Sequence, residues 1–368
     1  MKLICDGNEL SDAVNKVLKA TAIRSTNPIL EGIKLKAEND VLTLLATDTE
    51  LSIENKIKAD VKIEGETVVG GRFFAELIKK LSNEKIEITK NPNESTIKIK
   101  YTDSEGVLQT MPVSEFPEIR KIDSQDHIEL RQKDLKDLIN KTIFSAAFDD
   151  TRPILKGILI EIKDKKMSAI ALDGYRMAIC SKPVLKDNGN FSFVVPARSL
   201  AEISKIITDN DETVKIYNQK NYILVDLNET KVITRLLEGD FINYKQVLPV
   251  SVNTTVTVSK KYLEETIERA SLLARLNKNN LVTFEIKETT MYVSSSSDLG
   301  NIKEKISISK EGKELTVAFN ARYFSECLRN INEEFIKINF TSSIAPCTIT
   351  NTENNEFLYL ILPVRIIN

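Results

Sequence analysis

The chain has 368 residues, of which 42% are hydrophobic and 28% charged, with only 12 glycines and 10 prolines. This composition excludes a largely disordered protein, and the length predicts two or three globular domains. Because 51 basic residues stand against 53 acidic ones, the chain is not uniformly basic, and any surface for nucleic acid must be a segregated basic patch.

The N-terminus and the cysteines predict a cytoplasmic protein. The short apolar run from Met1 to Cys5 is broken by Asp6 and Glu9, so neither a secretory signal nor a membrane span is predicted. The cysteines lie far apart in apolar settings and form no CxxC pair, which predicts buried thiols rather than a zinc or redox site. The four are Cys5, Cys180, Cys327 and Cys347.

In chain order, the spacing of apolar residues predicts two amphipathic helices in each third of the chain, with strands between and after them. The predicted helices are Leu10–Ala20, Arg72–Lys79, Leu135–Ala146, Arg198–Lys205, Leu263–Ala274 and Arg322–Arg329. The predicted strands include Val41–Leu45, Ile97–Tyr101, Gly157–Ile162, Tyr222–Leu227, Val282–Ile286 and Phe335–Phe340. Each third is therefore predicted to be an α+β unit of two helices on antiparallel sheet.

These elements recur about every 125 residues. The segment Ile29–Ile33 returns 125 positions later as Ile154–Ile158, and the helix that begins at Arg72 returns at Arg198 and at Arg322. A fixed period of this kind indicates a repeat architecture. Polar linkers near Ile119–Gln125 and Leu248–Thr254 then divide the chain, and the predicted domains are 1–120, 125–248 and 253–368.

The second helix of each third carries Arg, Glu and Lys or Arg at positions i, i+4 and i+7. In a single helix such a stripe usually means a solvated face with weak ion pairs. Three copies in one register favour another interpretation, in which each repeat presents basic groups to the phosphate backbone of a nucleic acid without reading its bases.

The sequence contains few parts of a catalytic site. Its single histidine, His127, stands in the polar stretch Asp123–His127, which predicts a solvated linker rather than an acid–base site. It has no GxxxxGK(S/T) motif, no GxGxxG after a strand and no HExxH, so neither a cofactor nor a metal is predicted. A non-catalytic binding protein is favoured, and a tandem-repeat protein scaffold and a carboxylate hydrolase are the alternatives.

Six short motifs follow one another in a specific order: Asn27–Gly32, Thr151–Gly157, Asp173–Ala178, Val195–Arg198, Gly239–Tyr244 and Leu362–Ile366. Together they resemble the bacterial DNA polymerase III β sliding clamp family along essentially the whole chain. The resemblance implies three similar domains per chain and two chains head to tail in a closed ring, with helices lining the hole and sheets outside. It also implies a processivity factor that tethers the polymerase to duplex DNA and catalyses nothing itself.

The family's contacts with DNA, which are independent of sequence, carry over to six basic residues. These are Arg24, Arg152 and Arg198, which stand in matching motifs, and Arg72, Lys79 and Lys205 on the second helices. The chain departs from the pattern at Asp149 and Pro153, where many relatives have Gln and Tyr.

The resemblance also implies a cleft that binds peptides of partner proteins, between the second and third domains. The matching positions are Leu155, Leu172, Gly174, Tyr175, Arg176, Met177, Ile242, Val247, Asn320, Tyr323, Ile344, Pro346, Leu360, Leu362, Pro363, Val364 and Arg365. Leu172, Tyr175, Ile242 and Pro346 replace the common Thr, His, Pro and Ser, which keeps the cleft apolar and predicts a shifted peptide preference. The alternative is ordinary packing between domains, but large apolar groups in a terminal segment favour a contact surface.

The dimer interface implied by the resemblance joins Val107 and Leu108 of one chain to Leu272 and Leu273 of the other. Helix packing requires two chains, because six helices about 8 to 10 Å apart leave no hole for a duplex about 20 Å wide, whereas twelve leave about 25 Å. The implied partners are double-stranded DNA, a second copy of the chain, the clamp loader, the replicative polymerase and other clamp-motif proteins of repair and replication. The implied location is the cytoplasm, at the nucleoid, without membrane contact.

Overall fold

The computed structural model describes residues 1–122, 126–187, 189, 191–276, 279–353 and 356–365. Gln125, the predicted start of the second domain, and residues 366–368 at the end of the third therefore lie outside the described residues. The chain forms two compact units, the first made of 1–132, 185–188 and 205–236, and the second of 133–184, 189–204 and 237–368. This division passes through the second predicted domain.

Each third of the chain has the predicted order of helices and strands. The first contains β1 (Lys2–Asp6), α1 (Gly7–Val17), β2 (Gly32–Glu38), β3 (Val41–Thr47), β4 (Leu51–Lys58), β5 (Asp60–Ile63), β6 (Gly65–Gly70), α2 (Gly71–Lys80), β7 (Lys85–Lys90), β8 (Thr96–Tyr101) and β9 (Ser104–Met111). The second contains β10 (His127–Arg131), α3 (Gln132–Asn140), β11 (Gly157–Lys163), β12 (Lys166–Leu172), β13 (Arg176–Pro183), β14 (Phe191–Pro196), α4 (Ala197–Ile206), β15 (Thr213–Gln219), β16 (Tyr222–Asp226) and β17 (Thr230–Arg235). The third contains β18 (Thr254–Ser259), α5 (Lys260–Ala274), β19 (Leu281–Ile286), β20 (Thr290–Ser297), β21 (Gly300–Ser307), β22 (Ser309–Gly312), β23 (Leu315–Asn320), α6 (Ala321–Leu328), β24 (Phe335–Phe340), β25 (Cys347–Asn351) and β26 (Phe357–Ile361).

The helices form where the sequence predicts them because each has one apolar face and a suitable start. In α1, Leu10, Ala13 and Val14 are buried, and the Asp6 carboxylate caps the helix by accepting hydrogen bonds from the backbone N–H groups of the next turn. In α2 the buried face contains Phe74 and Ile78. No helix among the described residues is both long and apolar enough to cross a membrane.

Glycine occurs in both copies of the Ile-Leu-x-Gly segment for a steric reason. A Cβ atom on Gly32 would lie 2.6 Å from Val68 Cγ1, and one on Gly157 would lie 2.4 Å from Val194 Cγ1. Because real Cβ atoms do not approach other atoms so closely, only glycine lets β2 and β11 pass their neighbouring strands at this distance.

Strand pairing joins the repeats edge to edge inside each unit. The first unit contains a 13-stranded antiparallel sheet in the order β10-β15-β16-β17-β4-β3-β2-β6-β9-β8-β7-β1-β5. We call the pairing of β4 with β17 in this sheet the first junction; in it, Ser52 lies opposite Ile233.

The second unit contains two antiparallel sheets. One has nine strands in the order β14-β11-β12-β13-β26-β25-β24-β18-β22, and the other has four, β21-β20-β19-β23. The pairing of β13 with β26 is the second junction, and in it Met177 lies opposite Leu360. Both junctions pair equivalent strands: the fourth strand of one repeat lies beside the last strand of the next repeat.

Two strand edges of the junction type remain open among the described residues. In the first unit, residues 104–109 of β9 pair with β8 on one side only. In the second unit, β21 pairs with β20 and ends its sheet. An open edge presents unpaired backbone N–H and C=O groups, which makes it a template for another strand.

The prediction of a solvated linker at His127 is wrong. His127 is the first residue of β10 and lies opposite Tyr217 of β15. Its ring contacts the Tyr217 ring at 5.1 Å between centroids, and its Nε2 atom lies 2.6 Å from Glu129 Oε1. The strand was not predicted because only two of its residues, Ile128 and Leu130, show the alternating apolar pattern, and the residues before it are polar.

Candidate functional site

The floor of the predicted cleft is an apolar cluster in the second unit. Its buried members include Leu155, which precedes β11, Leu172 at the end of β12, Met177 in β13 and Leu360 in β26. The half-buried side chains Ile242 and Leu362 pack against this cluster. The structure therefore brings together six of the predicted cleft residues, from segments more than 200 positions apart in the sequence.

A tight turn between β12 and β13 forms one edge of the cleft. The Asp173 carboxylate accepts hydrogen bonds from the backbone N–H groups of Tyr175 and Arg176 at 2.9 and 3.0 Å. Gly174 has φ +91°, a conformation that residues with a Cβ atom rarely adopt. The turn projects Tyr175, whose side chain is 61% exposed and stacks on Tyr323 of α6 with 6.1 Å between ring centroids.

Arg176 lies beneath this aromatic pair rather than at the surface, since only 3% of it is exposed. Its guanidinium donates to Asp173 Oδ2 at 3.0 Å, to Glu326 Oε2 at 2.5 Å and to the Phe144 carbonyl oxygen at 2.5 Å. It also lies 4.8 Å from the centre of the Tyr323 ring. Arg176 therefore links the turn between β12 and β13 to α6, and its charge is neutralised by carboxylates of the chain.

The carboxylate of Glu326 is held ionised by two arginines. Burial alone would raise its pKa, but hydrogen bonds from Arg322 and Arg176 outweigh burial and hold the pKa of Glu326 below its ordinary value. Burial and the nearby Asp173 carboxylate raise the pKa of Tyr323, so its hydroxyl stays protonated and able to donate a hydrogen bond.

The segment after β26 closes the other side of the cleft. The Leu362 backbone N–H donates to the Tyr175 carbonyl oxygen at 2.9 Å, and the Val364 N–H donates to the Ala318 carbonyl oxygen at 2.8 Å. Pro363 stands between them and has no N–H to satisfy. Arg365 is exposed, and Ile366 of the matching motif lies outside the described residues.

The remaining predicted cleft residues lie at its margin. Val247 and Ile344 are exposed, Ile344 to 74%, and Pro346 is half-buried. The Asn320 side chain accepts a hydrogen bond from the Arg322 N–H at 3.0 Å and so caps α6. These side chains surround the apolar floor with contact points of mixed polarity.

Sequence reasoning missed several members of the cluster. Leu159, Ile170, Val194 and Tyr244 belong to its buried part. The Tyr244 hydroxyl donates to Glu161 Oε2 at 2.7 Å, and burial together with this carboxylate raises the pKa of the Tyr244 phenol. The signal for Tyr244 was its place at the end of the Gly239–Tyr244 motif, which lies in the segment that follows β17.

The six predicted DNA-binding side chains are exposed. Arg24 and Arg152 stand in the loops that precede the short 3-10 turns Pro28–Glu31 and Pro153–Lys156. On the second helices, the exposed residues are Arg72 and Lys79 of α2 and Arg198 and Lys205 of α4. Asp149, in the Arg152 loop, accepts a hydrogen bond from the Thr151 N–H; hydrogen bonding to Thr151 lowers the pKa of Asp149, so this loop also carries a fixed negative charge.

The charged stripe differs in the third repeat. On α6, Arg322 pairs with Glu326 at 2.6 Å and Arg329 lies 3.8 Å from Glu268. These two arginines are partly neutralised within the chain. On α2, by contrast, no carboxylate of the described residues lies within 4.0 Å of Arg72 or Lys79, which leaves both charges available to an anionic ligand.

Comparison with known proteins agrees with this geometry along the whole chain. Family models of the N-terminal, central and C-terminal domains of the DNA polymerase III beta subunit match residues 1–120, 129–243 and 245–365. The beta sliding clamps of Halalkalibacterium halodurans and Bacillus subtilis are each 32% identical to this chain over 99% of its length and 100% of theirs.

Solved structures agree as well. The crystal structure of the DNA polymerase sliding clamp from Bacillus subtilis has a TM-score of 0.96 to this chain at 31% identity, and that of a putative DNA polymerase III beta subunit from Eubacterium rectale has 0.94 at 33%. Both alignments cover 100% of either chain.

Three α+β repeats joined edge to edge, with an apolar cluster at the predicted cleft and exposed arginines, fit a clamp-type binding protein. The chain belongs to the DNA polymerase III beta subunit family, the beta sliding clamps. Its function is that of a DNA sliding clamp, a non-catalytic processivity subunit of DNA polymerase III. The predicted family, fold class and function are thereby confirmed.

Proposed function

We propose that two copies of this chain close head to tail around duplex DNA through the open edges of β9 and β21. The observation that carries this proposal is the pattern of junctions. Each repeat offers one edge of each kind, and two of the three possible pairs form within the chain, at the first and second junctions. The two edges that remain open, β9 and β21, can pair with each other, but neither is of a kind that pairs with a copy of itself. In a dimer, β9 of each subunit would therefore pair with β21 of the other, which is a heterologous contact.

The two junctions predict the same register for the pairing between subunits. The hairpin registers make three positions equivalent on each side: Ser104, Thr230 and Phe357 in β9, β17 and β26, and Glu304, Asn55 and Cys180 in β21, β4 and β13. At the first junction Thr230 lies opposite Asn55, and at the second Phe357 lies opposite Cys180. Ser104 of one subunit should therefore lie opposite Glu304 of its partner, and Val107 opposite Asn301.

Burial supports this pairing. At the two junctions the inward-facing positions are fully buried, for example Ile53 opposite Val232 and Ala178 opposite Tyr359. The equivalent residues at the open edges, Gly106 and Ile302, are only half-buried. Covering them removes apolar surface from water, which is the main driving force of association.

Helix α5, which packs against β20 and β21, supplies further apolar surface. Leu272 is 62% exposed and Leu273 half-exposed near the end of this helix. On the β9 side, Val107 is 54% exposed and Leu108 half-exposed. Apolar groups on both partners fit the interface that the resemblance implies.

In this ring we propose that Arg24, Arg152, Arg72, Lys79, Arg198 and Lys205 face the DNA. Their side chains are long, exposed and cationic, which suits contact with phosphates and not the reading of bases. Binding should consequently be weak, indifferent to sequence and steeply dependent on salt. Association with DNA would keep the protein in the cytoplasm, at the nucleoid.

We also propose that the cleft of the second unit binds short linear peptides of the replicative polymerase, the clamp loader and other clamp-motif proteins. Its apolar floor and the exposed rings and aliphatic groups at its margin can desolvate one or two apolar anchors, which usually supply most of the affinity of such peptides. Domain bounds of 1–120, 125–248 and 253–368 fit this arrangement, with the cleft between the second and third.

Retention on DNA of different topology tests the ring. The purified protein is loaded onto a nicked circular plasmid by the clamp loader and separated from free protein by gel filtration. A closed ring stays with the circle and is released when one restriction cut linearises it, whereas a repeat scaffold or a hydrolase that binds the DNA surface is retained equally by both forms. Equal retention would contradict encirclement.

A further inference from the structure

The first unit contains a groove of about 710 Å³ beside the first junction. Its floor is aliphatic and its rim is basic, and the lining includes Leu45, Leu224, Ile233, Lys34, Lys36 and Lys231. The segment 116–122, which follows the first repeat, forms one wall. A smaller cavity of about 180 Å³ lies along residues 117–120 of the same segment and shares Ser52 and Ile233 with the groove.

This groove is the repeat equivalent of the apolar cluster that forms the cleft floor. Ser52 lies opposite Ile233 at the first junction, as Met177 lies opposite Leu360 at the second. Both pairs line their respective sites. The same backbone arrangement therefore occurs twice in the chain, and the side chains give it two different chemistries.

The change in chemistry is from apolar to basic. Lys231 stands in the groove at the position that Leu358 has beside the cleft, and Lys34 stands at the position of Leu159. Apolar contacts at the second junction thus correspond to cationic groups at the first. A site of this composition favours an anionic ligand with some apolar surface over the apolar peptide expected in the cleft.

The positive charge of the groove is not cancelled by the protein. Five basic side chains and two acidic ones line it. Lys34 and Lys36 have carboxylate partners at 2.8 Å, but in the part of the chain that the structure describes no carboxylate lies within 4.0 Å of Lys121 or Lys231. Charges of one sign in a concave site attract a ligand of the opposite sign.

We propose that this basic groove docks an extended acidic segment of a partner protein. Alternate Leu or Phe side chains of the segment would rest on the floor formed by Leu45 and Ile233. Its Asp and Glu carboxylates would pair with Lys121 and Lys231 at the rim. The inference rests on the strand registers and on the groove itself, and it does not depend on the proposed function of the cleft.

Binding of a defined probe tests the proposal in the full-length dimer. The probe is a fluorescein-labelled nine-residue peptide in which Leu and Phe alternate with Glu. The double variant Lys34→Glu, Lys231→Glu should bind it at least about tenfold more weakly than the wild type. The matched control Lys163→Glu, Lys215→Glu changes the net charge equally at exposed strand positions outside the groove, and it should bind the probe within about twofold of the wild type.

A second variant protects the test against misfolding, because Lys34 also pairs with Glu66. Lys121→Glu alters an exposed residue in a segment without helix or strand. It should lower the affinity for the probe severalfold and leave the melting temperature of the protein unchanged. Equal affinity of all variants would overturn the proposal. It would also be overturned if a Gln-for-Glu peptide bound as tightly, or if a twelve-nucleotide oligothymidylate displaced the probe and bound more tightly.

The cleft and the groove are separated by a reciprocal measurement. A chain truncated before Leu362 lacks one wall of the cleft but none of the groove. Its affinity for the acidic probe should be that of the wild type, and its affinity for a polymerase-tail peptide should fall. The double variant Lys34→Glu, Lys231→Glu should have reduced affinity for the acidic probe and unchanged affinity for the polymerase-tail peptide. Loss of the acidic probe on truncation would assign it to the cleft and refute a separate site.

Discussion

Arg176 and Glu326 are 150 positions apart in the sequence, yet the Arg176 Nη1 atom lies 2.5 Å from Glu326 Oε2. The contact links β13, which carries Met177 of the apolar cluster, to α6, which carries Tyr323. Because Arg176 is buried, this ion pair works at lower dielectric than a surface pair and is sensitive to the loss of either partner.

Glu326→Gln should lower the free energy of unfolding by about 1 kcal/mol at pH 7, because the hydrogen bonds from Arg176 and Arg322 lose their negatively charged acceptor. The pKa of Glu326 is lowered in the folded chain, so its contribution is present above the unfolded pKa and is lost as pH falls through the folded value. The difference between variant and wild type in urea unfolding should therefore stay constant from pH 7 down to the ordinary pKa of a glutamate, about 4.3, and shrink below it. A difference that also stays constant below that pH would show that the charge of Glu326 is not responsible.

Cysteine cross-linking tests the register of the subunit contact. Val107→Cys with Asn301→Cys should give a covalent dimer under mild oxidation, since directly opposed residues of antiparallel strands have Cα atoms about 4.5 to 5.5 Å apart. Val107→Cys with Ile302→Cys shifts one partner by one residue and turns its side chain to the other face of the sheet, so it should remain monomeric on a denaturing gel. Efficient cross-linking of the shifted pair would contradict the proposed register.

Leu273→Asp should convert the dimer into monomers. A carboxylate at an apolar interface must be desolvated without a partner, which costs several kcal/mol and raises the dimer dissociation constant at least about a hundredfold. Sedimentation velocity at about 1 µM measures the outcome. Leu185→Asp is the control, because Leu185 is a leucine with an exposed side chain that belongs to no proposed interface. If both variants sediment as dimers, the interface assignment is wrong.

Charge reversal at Arg24, Arg152 and Arg198 should impair loading and sliding but spare the fold. Each arginine that contacts a phosphate contributes roughly 0.9 to the slope of log affinity against log salt concentration, so the slope for the triple Glu variant should be flatter than that of the wild type. A triple Lys→Glu variant at Lys58, Lys163 and Lys215, all exposed, is the matched control. A wild-type protein that prefers one DNA sequence by about a hundredfold would refute phosphate-only binding.

Deletion from Leu362 to the end of the chain should weaken the binding of a fluorescent polymerase-tail peptide by at least about 2 kcal/mol, a roughly thirtyfold loss of affinity. The deletion removes the backbone bonds of Leu362 and Val364 to the walls of the cleft. It leaves β26, which ends at Ile361, in its sheet, so dimer mass and retention on circular DNA should persist. Unchanged peptide affinity would remove the C-terminal segment from the site.

The local elements could be predicted from the sequence because each has its own periodicity. Five helices and the six named strands lie within a few residues of where apolar spacing predicts them. The exception is α3, which ends at Asn140 instead of the predicted Ala146, because residues 143–145 form a separate 3-10 turn. His127 was misplaced because a five-residue strand carries too few alternating positions to stand out from polar neighbours.

Contacts between residues that are distant in the sequence could not be predicted from local sequence patterns. The position of Arg176 matched the family's cleft, but its burial between Asp173 and Glu326 depends on how α6 packs. The basic groove beside the first junction is formed by β4 and β17, whose paired residues Glu54 and Lys231 are separated by most of two repeats. Only the pairing of strands brings such residues to one site.

The strand pairing of the first and second junctions has a further consequence for the concentration at which the protein works. At each of these junctions the two strands belong to one chain, so after a local opening they meet again at an effective concentration of about millimolar, whatever the dilution. The proposed contact between β9 and β21 of two subunits has no such tether, so its occupancy should follow the amount of protein present. In the proposed ring, dilution should therefore open the subunit contact and leave both internal junctions paired. A cell that holds this clamp above the dissociation constant of that one contact keeps its rings closed without any change in their structure.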